Sequence, residues 1–97
     1  MAYAKQGQVP TGTPVGDIRA RIRSVLKEHS QLSVDVSSLA DTADLYEAGM
    51  TSRASVSMML ALESEFEIEF PDTMLRRDVF ESVEAIGAAV EQLLARH

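Results

Sequence analysis

Gly49-Met50-Thr51-Ser52-Arg53 opens an apolar run that closes in Glu67-Ile68-Glu69-Phe70-Pro71-Asp72. Between the two, Val56, Met59, Leu62 and Phe66 fall on one stripe at helical spacing, widened by Met58 and Leu60, which predicts a helix from about Ser52 to Phe66. Gly49 permits a tight backbone turn ahead of that helix. Ser52 stands where the loop becomes helix. A hydroxyl there is accessible, and a phosphate on it meets the free N–H groups of a helix's first turn. No other serine is read in this setting: Ser55, Ser57 and Ser64 fall inside the same helical pattern, and Ser33, Ser37 and Ser38 in a loop. Standing alone, the motif reads first as a plain helix cap.

Working outward, residues 1–14 show turn formers and no apolar period, and are expected to form a flexible tail. Val15, Ile18, Ile22, Val25 and Leu26 then predict a helix over about 15–29, ended by His29 and Ser30. Residues 30–50 carry spaced apolar anchors and the turn-forming Asp41-Thr42-Ala43-Asp44, which suits a packed loop with a helical turn. Glu67 to Phe70 alternates like a strand, yet four residues ended by proline make no sheet alone, so an extended connector is expected. Asp72 is expected to cap a short helix from Thr73 to about Arg77. Phe80, Val83, Ile86, Val90, Leu93 and Leu94 predict a last helix over about 80–95. The fold class is all-α: a small four-helix bundle of three main helices and one short one, with a single domain over 15–97.

Composition narrows the function. Of 97 residues, 45% are hydrophobic and 5% aromatic, with no Trp, which suits an aliphatic helical core rather than a sandwich or barrel. No Cys is present, so no disulfide, thiolate metal site or cysteine nucleophile enters, and a cytoplasmic location is compatible. The net charge of −6 argues against nucleic-acid binding. It is uneven: residues 1–29 carry five basic and two acidic side chains, and the remainder four basic and thirteen acidic. Neither a long apolar run nor the apolar region of a signal peptide is present, so a soluble protein with no membrane insertion is expected.

The order of helix, long loop, Gly-x-x-Ser at a helix start, Leu60-Ala61-Leu62-Glu63-x-Glu65-Phe66, an apolar–Pro–Asp corner and a final amphipathic helix resembles the acyl carrier and peptidyl carrier protein superfamily. The resemblance covers roughly residues 15–95 and is strongest from Ala48 to Asp72. It implies a fold like that of an acyl carrier protein. It also implies that Ser52 is esterified with 4′-phosphopantetheine by a phosphopantetheinyl transferase using coenzyme A and magnesium. The arm's thiol then holds an acyl or aminoacyl group as a thioester between a loading ligase and a downstream acceptor enzyme. Such a protein is not itself an enzyme. Two positions depart from the usual Asp-Ser-Leu of these carriers. Thr51 loses the carboxylate but keeps a capping hydroxyl, and Arg53 sets a cation where an apolar residue is usual. These departures point away from the housekeeping carrier of fatty-acid synthesis. The Gly-Met-Thr-Ser form, with Phe70-Pro71-Asp72-x-Met74-Leu75-x-Arg77, resembles stand-alone bacterial carriers, some of them loaded with amino acids by ligases related to class II aminoacyl-tRNA synthetases.

The residues expected at the cofactor are therefore Ser52, Thr51 and Arg53, and Arg53 would pair with the arm's phosphate or with an acidic partner. The partner surface is expected from Arg53, Val56, Met58 and Leu60 on the second helix and Met74, Leu75, Arg76 and Arg77 on the short one. Val56 and Met59 are read first as core, and the Arg76-Arg77 pair first as a solvated face. Glu63, Glu65, Glu67 and Glu69 do not converge on one helix face and are read as solvated. Tyr46 is expected as a half-buried anchor. His29 and His97 lie at separate ends without a ligand set, so no metal site is expected, nor a hydrolase built on Ser52. The competing readings are a conventional acyl carrier for specialised fatty-acid, lipid or polyketide synthesis, and an unmodified helical interaction module. Nothing requires more than a monomer.

Overall fold

The computed structural model describes residues 15–30, 32 and 34–95. The tail expected over 1–14, and His97, lie outside the described residues. Three helices carry the fold: α1 (Val15–His29), α2 (Ser52–Phe66) and α3 (Val83–Ala95), with 3-10 turns at Val36–Ser38, Asp72–Met74 and Arg77–Val79. There is no strand among the described residues. No described helix is long and apolar enough to cross a membrane.

Helix α1 packs against both α2 and α3. Its Ile18, Ile22, Val25 and Leu26 are buried, as their spacing predicts. Asp17 in its first turn and Lys27 and His29 in its last complement the helix dipole. Ser30 ends it: its backbone N–H, at 2.9 Å, and its hydroxyl both donate to the Leu26 carbonyl.

The arginines of α1 do not simply face water. Arg19 and Arg23 both donate to the Asp41 carboxylate, and Arg23 also donates to the Val36 carbonyl at 2.7 Å. These two hydrogen bonds, Arg23 foremost, hold the Asp41 carboxyl below the ordinary carboxylate value. The Asp41 carbonyl accepts from Glu84 N–H at 2.9 Å, and Leu45 N–H donates to the Glu81 carbonyl at 2.7 Å. The long loop is thereby tied to α1 on one side and to the start of α3 on the other, with Val36, Leu45 and Met50 in the core. That satisfies backbone groups a loop of this length would otherwise leave to solvent. Within it Asp35 caps the first 3-10 turn, and the Asp44 carboxylate accepts from the N–H groups of Tyr46 and Glu47.

Helix α2 has the predicted bounds but not the predicted phase. Its buried residues are Ala54, Met58, Leu62 and Phe66, one every fourth position. Val56 is 53% exposed, against its first reading as core, while Met58, expected on the partner surface, is fully buried at 0%. The run from Val56 to Leu62 is apolar at nearly every position, so hydropathy cannot fix the rotation of the helix. Ala54 completes the buried row at the N-terminal end.

After α2, Glu67 turns left-handed (φ 55°) and the chain runs extended, with Ile68 and Phe70 buried and Glu67 and Glu69 exposed. The acidic series is not uniformly solvated. Glu63 Oε2 accepts from Phe70 N–H at 2.9 Å, clipping the connector onto α2. Arg21 pairs with the Glu65 carboxylate at 2.9 Å, donates to the Glu65 carbonyl at 2.8 Å and lies 4.4 Å above the Phe66 ring, joining α1 to the end of α2. The short helix expected from Thr73 to Arg77 is two separate 3-10 turns instead. Pro71, not Asp72, precedes the first, with no side-chain cap, and Leu75 (ψ 65°) breaks the path between them. Phe80 packs edge-to-face on Phe70 at 5.2 Å, as a loop anchor ahead of α3 rather than part of it. The α3 helix begins at Val83, where the Ser82 hydroxyl accepts from Ala85 N–H.

Candidate functional site

The approach to Ser52 is built by its neighbours. The Gly49 N–H donates to the Tyr46 carbonyl and that of Met50 to the Leu45 carbonyl, closing a tight turn. Gly49 sits at φ 118°, a backbone conformation that a side chain strains. Met50, buried, plugs the turn into the core. Thr51 is the N-cap of α2, extended in backbone, with Oγ1 accepting from Ala54 N–H at 3.0 Å. The hydroxyl expected there from sequence does the capping without a carboxylate. Ser52, the first residue of α2, is exposed, and its carbonyl accepts from the Ser55 hydroxyl at 2.7 Å.

Beside Ser52 lies an open groove of about 340 Å³. One wall is α2, through Ser52, Ser55, Val56 and Met59; the other is Leu75, Arg76, Arg77 and Phe80, with Tyr46 also lining it. The Arg77 guanidinium lies 4.1 Å above the Tyr46 ring centroid. Arg76 pairs with Asp78 at 3.3 Å.

Of the predicted residues, Ser52, Val56, Leu75, Arg76 and Arg77 therefore meet at one groove. Thr51 and Arg53 are exposed next to Ser52 but do not line it. Leu60, 56% exposed, continues the outer face of α2, and Met74 is half-buried against the core. Met58 is removed from this surface by its burial. Sequence reasoning missed Ser55, Met59, Phe80 and Tyr46 as groove residues. Ser55 was within reach, since i and i+3 share a helix face; the stacking of Tyr46 under Arg77 is long-range and has no local signal. It also missed Ser82, a second serine at a helix start, which is 7% exposed and committed to Ala85 N–H.

These features fit a phosphopantetheine arm: an exposed hydroxyl at the start of a 15-residue helix, and beside it a groove of ligand size carrying two guanidinium groups.

Comparison with known proteins agrees. The family described as "Phosphopantetheine attachment site" matches residues 17–90. An aminoacyl carrier protein of Agrobacterium fabrum (strain C58) is 47% identical over 77 residues, covering 79% of this chain and 93% of that protein. An acyl carrier protein of Caulobacter vibrioides (strain NA1000) is 32% identical over 78 residues, covering 79% and 91%. Among solved structures, a carrier protein from Agrobacterium tumefaciens, complexed with an engineered Bradyrhizobium japonicum glycine:[carrier protein] ligase and ATP, superposes with a TM-score of 0.75 at 47% identity, covering 77% of this chain and 97% of that one. The chain belongs to the phosphopantetheine-attachment family: it is a carrier protein bearing a covalent 4′-phosphopantetheine, and a carrier rather than a catalyst.

Proposed function

We propose that Ser52 is the attachment point of the arm and that the cargo is an amino acid. One observation carries the first part. Two serines begin helices, and Ser82 is buried and occupied as a cap, whereas the Ser52 hydroxyl is exposed at a groove with capping left to Thr51. Of the two, a transferase can reach only Ser52. Ser52 would hold the arm, the first turn of α2 would offer N–H donors to its phosphate, and Arg76 and Arg77 stand across the groove. The arm supplies a terminal thiol on which a carboxylic acid is held as a thioester.

The amino-acid cargo is supported by relatives: the 47% identical protein is named an aminoacyl carrier, and the matching solved carrier is complexed with a glycine:carrier ligase. A phosphopantetheinyl transferase, an amino acid:carrier ligase and a downstream acceptor enzyme are the partners, met by a cytoplasmic monomer. Arg53, Val56 and Leu60 along α2, with Met74, Leu75, Arg76 and Arg77 opposite, form the docking face. It is apolar and cationic: from Ser52 to Leu62 the helix carries no acid. Val56, Leu60 and Leu75 are its large exposed apolar side chains.

The test is to convert the protein to its holo form and offer it an ATP-dependent amino acid:carrier ligase with glycine and other amino acids, and separately an acyl-carrier synthetase with fatty acids. Intact mass reads the product. Aminoacyl gain on the holo form alone is expected; fatty-acyl gain alone would replace the reading with a conventional acyl carrier.

A further inference from the structure

The charges around the groove are arranged for an anion. The chain holds 15 acidic residues, yet no Asp or Glu lines the groove beside Ser52. The arginines of α1 are spent elsewhere, Arg19 and Arg23 on Asp41 and Arg21 on Glu65. At the groove Arg76 shares its charge with Asp78, but Arg77 meets no carboxylate among the described residues. Its guanidinium is seated on the Tyr46 ring instead, which leaves its N–H groups free at their edges and fixes its plane. The rest of the lining is hydroxyl or apolar: Ser55, Val56, Met59, Leu75 and Phe80.

A groove with a guanidinium and a neutral, largely apolar floor fits a ligand that is anionic at one end and uncharged beyond it. The arm has that character, with a phosphodiester at the serine oxygen followed by a dimethyl carbon and two amides. We propose that Arg77, held by Tyr46, is a clamp for the arm's phosphodiester, and that the groove is the resting berth of its inner half. The proposal rests on Ser52 as the attachment point. Arg77 donates to the phosphate oxygens in the forked geometry that suits them. Val56 and Leu75 flank the dimethyl group.

Intact mass and peptide mapping first establish one arm on Ser52; then ¹H–¹⁵N spectra of apo and holo protein, including the arginine Nε–Hε signals, are compared, with filtered NOEs from the arm's methyl groups. Shifts of Arg77 Nε–Hε and of the amides of Tyr46, Leu75 and Phe80, with NOEs to Val56 and Leu75, are expected. On fully converted Arg77→Ala, with its circular dichroism and melting checked against the parent, those NOEs are lost. Arg77→Lys, which keeps charge but not the fork, falls between. Shifts confined to residues 51–55, or Arg77→Ala with the parent's arm contacts, would overturn the berth alone. An arm absent or mapped to another residue would overturn the attachment reading and the berth with it.

Discussion

The Ser82 hydroxyl accepts from the Ala85 N–H at 3.0 Å and the residue is buried, whereas Ser52 is exposed with Thr51 capping in its place. The same residue type at the start of a helix thus does two jobs, decided by whether a neighbour supplies the cap. Ser82→Ala removes a cap and is expected to lower unfolding stability by about 1 kcal/mol in a denaturant melt while leaving addition of the arm intact. A Ser82→Ala protein as stable as the parent would show that the cap carries no weight. At this scale the sequence reading was strongest: Gly49, Thr51 and Ser52 each sit in the backbone setting that their chemistry suggests.

At the scale of elements, α1 and α2 were legible to the residue because their ends are marked by Ser30 and by Thr51. The rotation of α2 was not. Its apolar residues cover more than one face, because Val56 and Leu60 stand outward and exposed while Met58 belongs to the core. Met58→Ala is therefore expected to cost about 2–5 kcal/mol, and Val56→Ala to change stability by less than about 0.5 kcal/mol while weakening loading by a ligase. Equal losses of stability would contradict this assignment of faces. The 3-10 turns after Pro71 were misread as one helix because the Asp-Thr-Met sequence carries a capping signal that the fold does not use.

Asp41 belongs to the same scale, since it joins the loop, α1 and α3 through Arg19, Arg23 and Glu84 N–H. Its carboxyl titrates lower in the folded chain than in the unfolded one. The stability it contributes is thus complete above the unfolded carboxylate range, near pH 4, and is lost as pH falls through the lowered folded value. Asp41→Asn is expected to melt below the parent at pH 7, with the gap narrowing towards pH 3 in thermal melts. A gap that widened on acidification would contradict the pairing.

In the whole molecule, the three arginines of the first helix are spent on two of the thirteen acidic residues that follow it, Asp41 and Glu65. Part of the charge imbalance between the two segments is internal complementarity. It leaves the Ser52 side lined by arginine without acid, which no local pattern announces because residues 46, 52 and 77 come together only on folding. The exposed serine at the start of α2 was legible; the groove beside it was not.

The central claim is that this carrier takes its arm at Ser52. The measurement that tests it most directly is intact mass, with peptide mapping, after incubation with coenzyme A, magnesium and a broad-specificity phosphopantetheinyl transferase, with Ser52→Ala alongside. The account predicts a gain of one phosphopantetheinyl group, mapped to Ser52, in the parent and none in a folded Ser52→Ala protein. A gain in both proteins, or in neither, would contradict it.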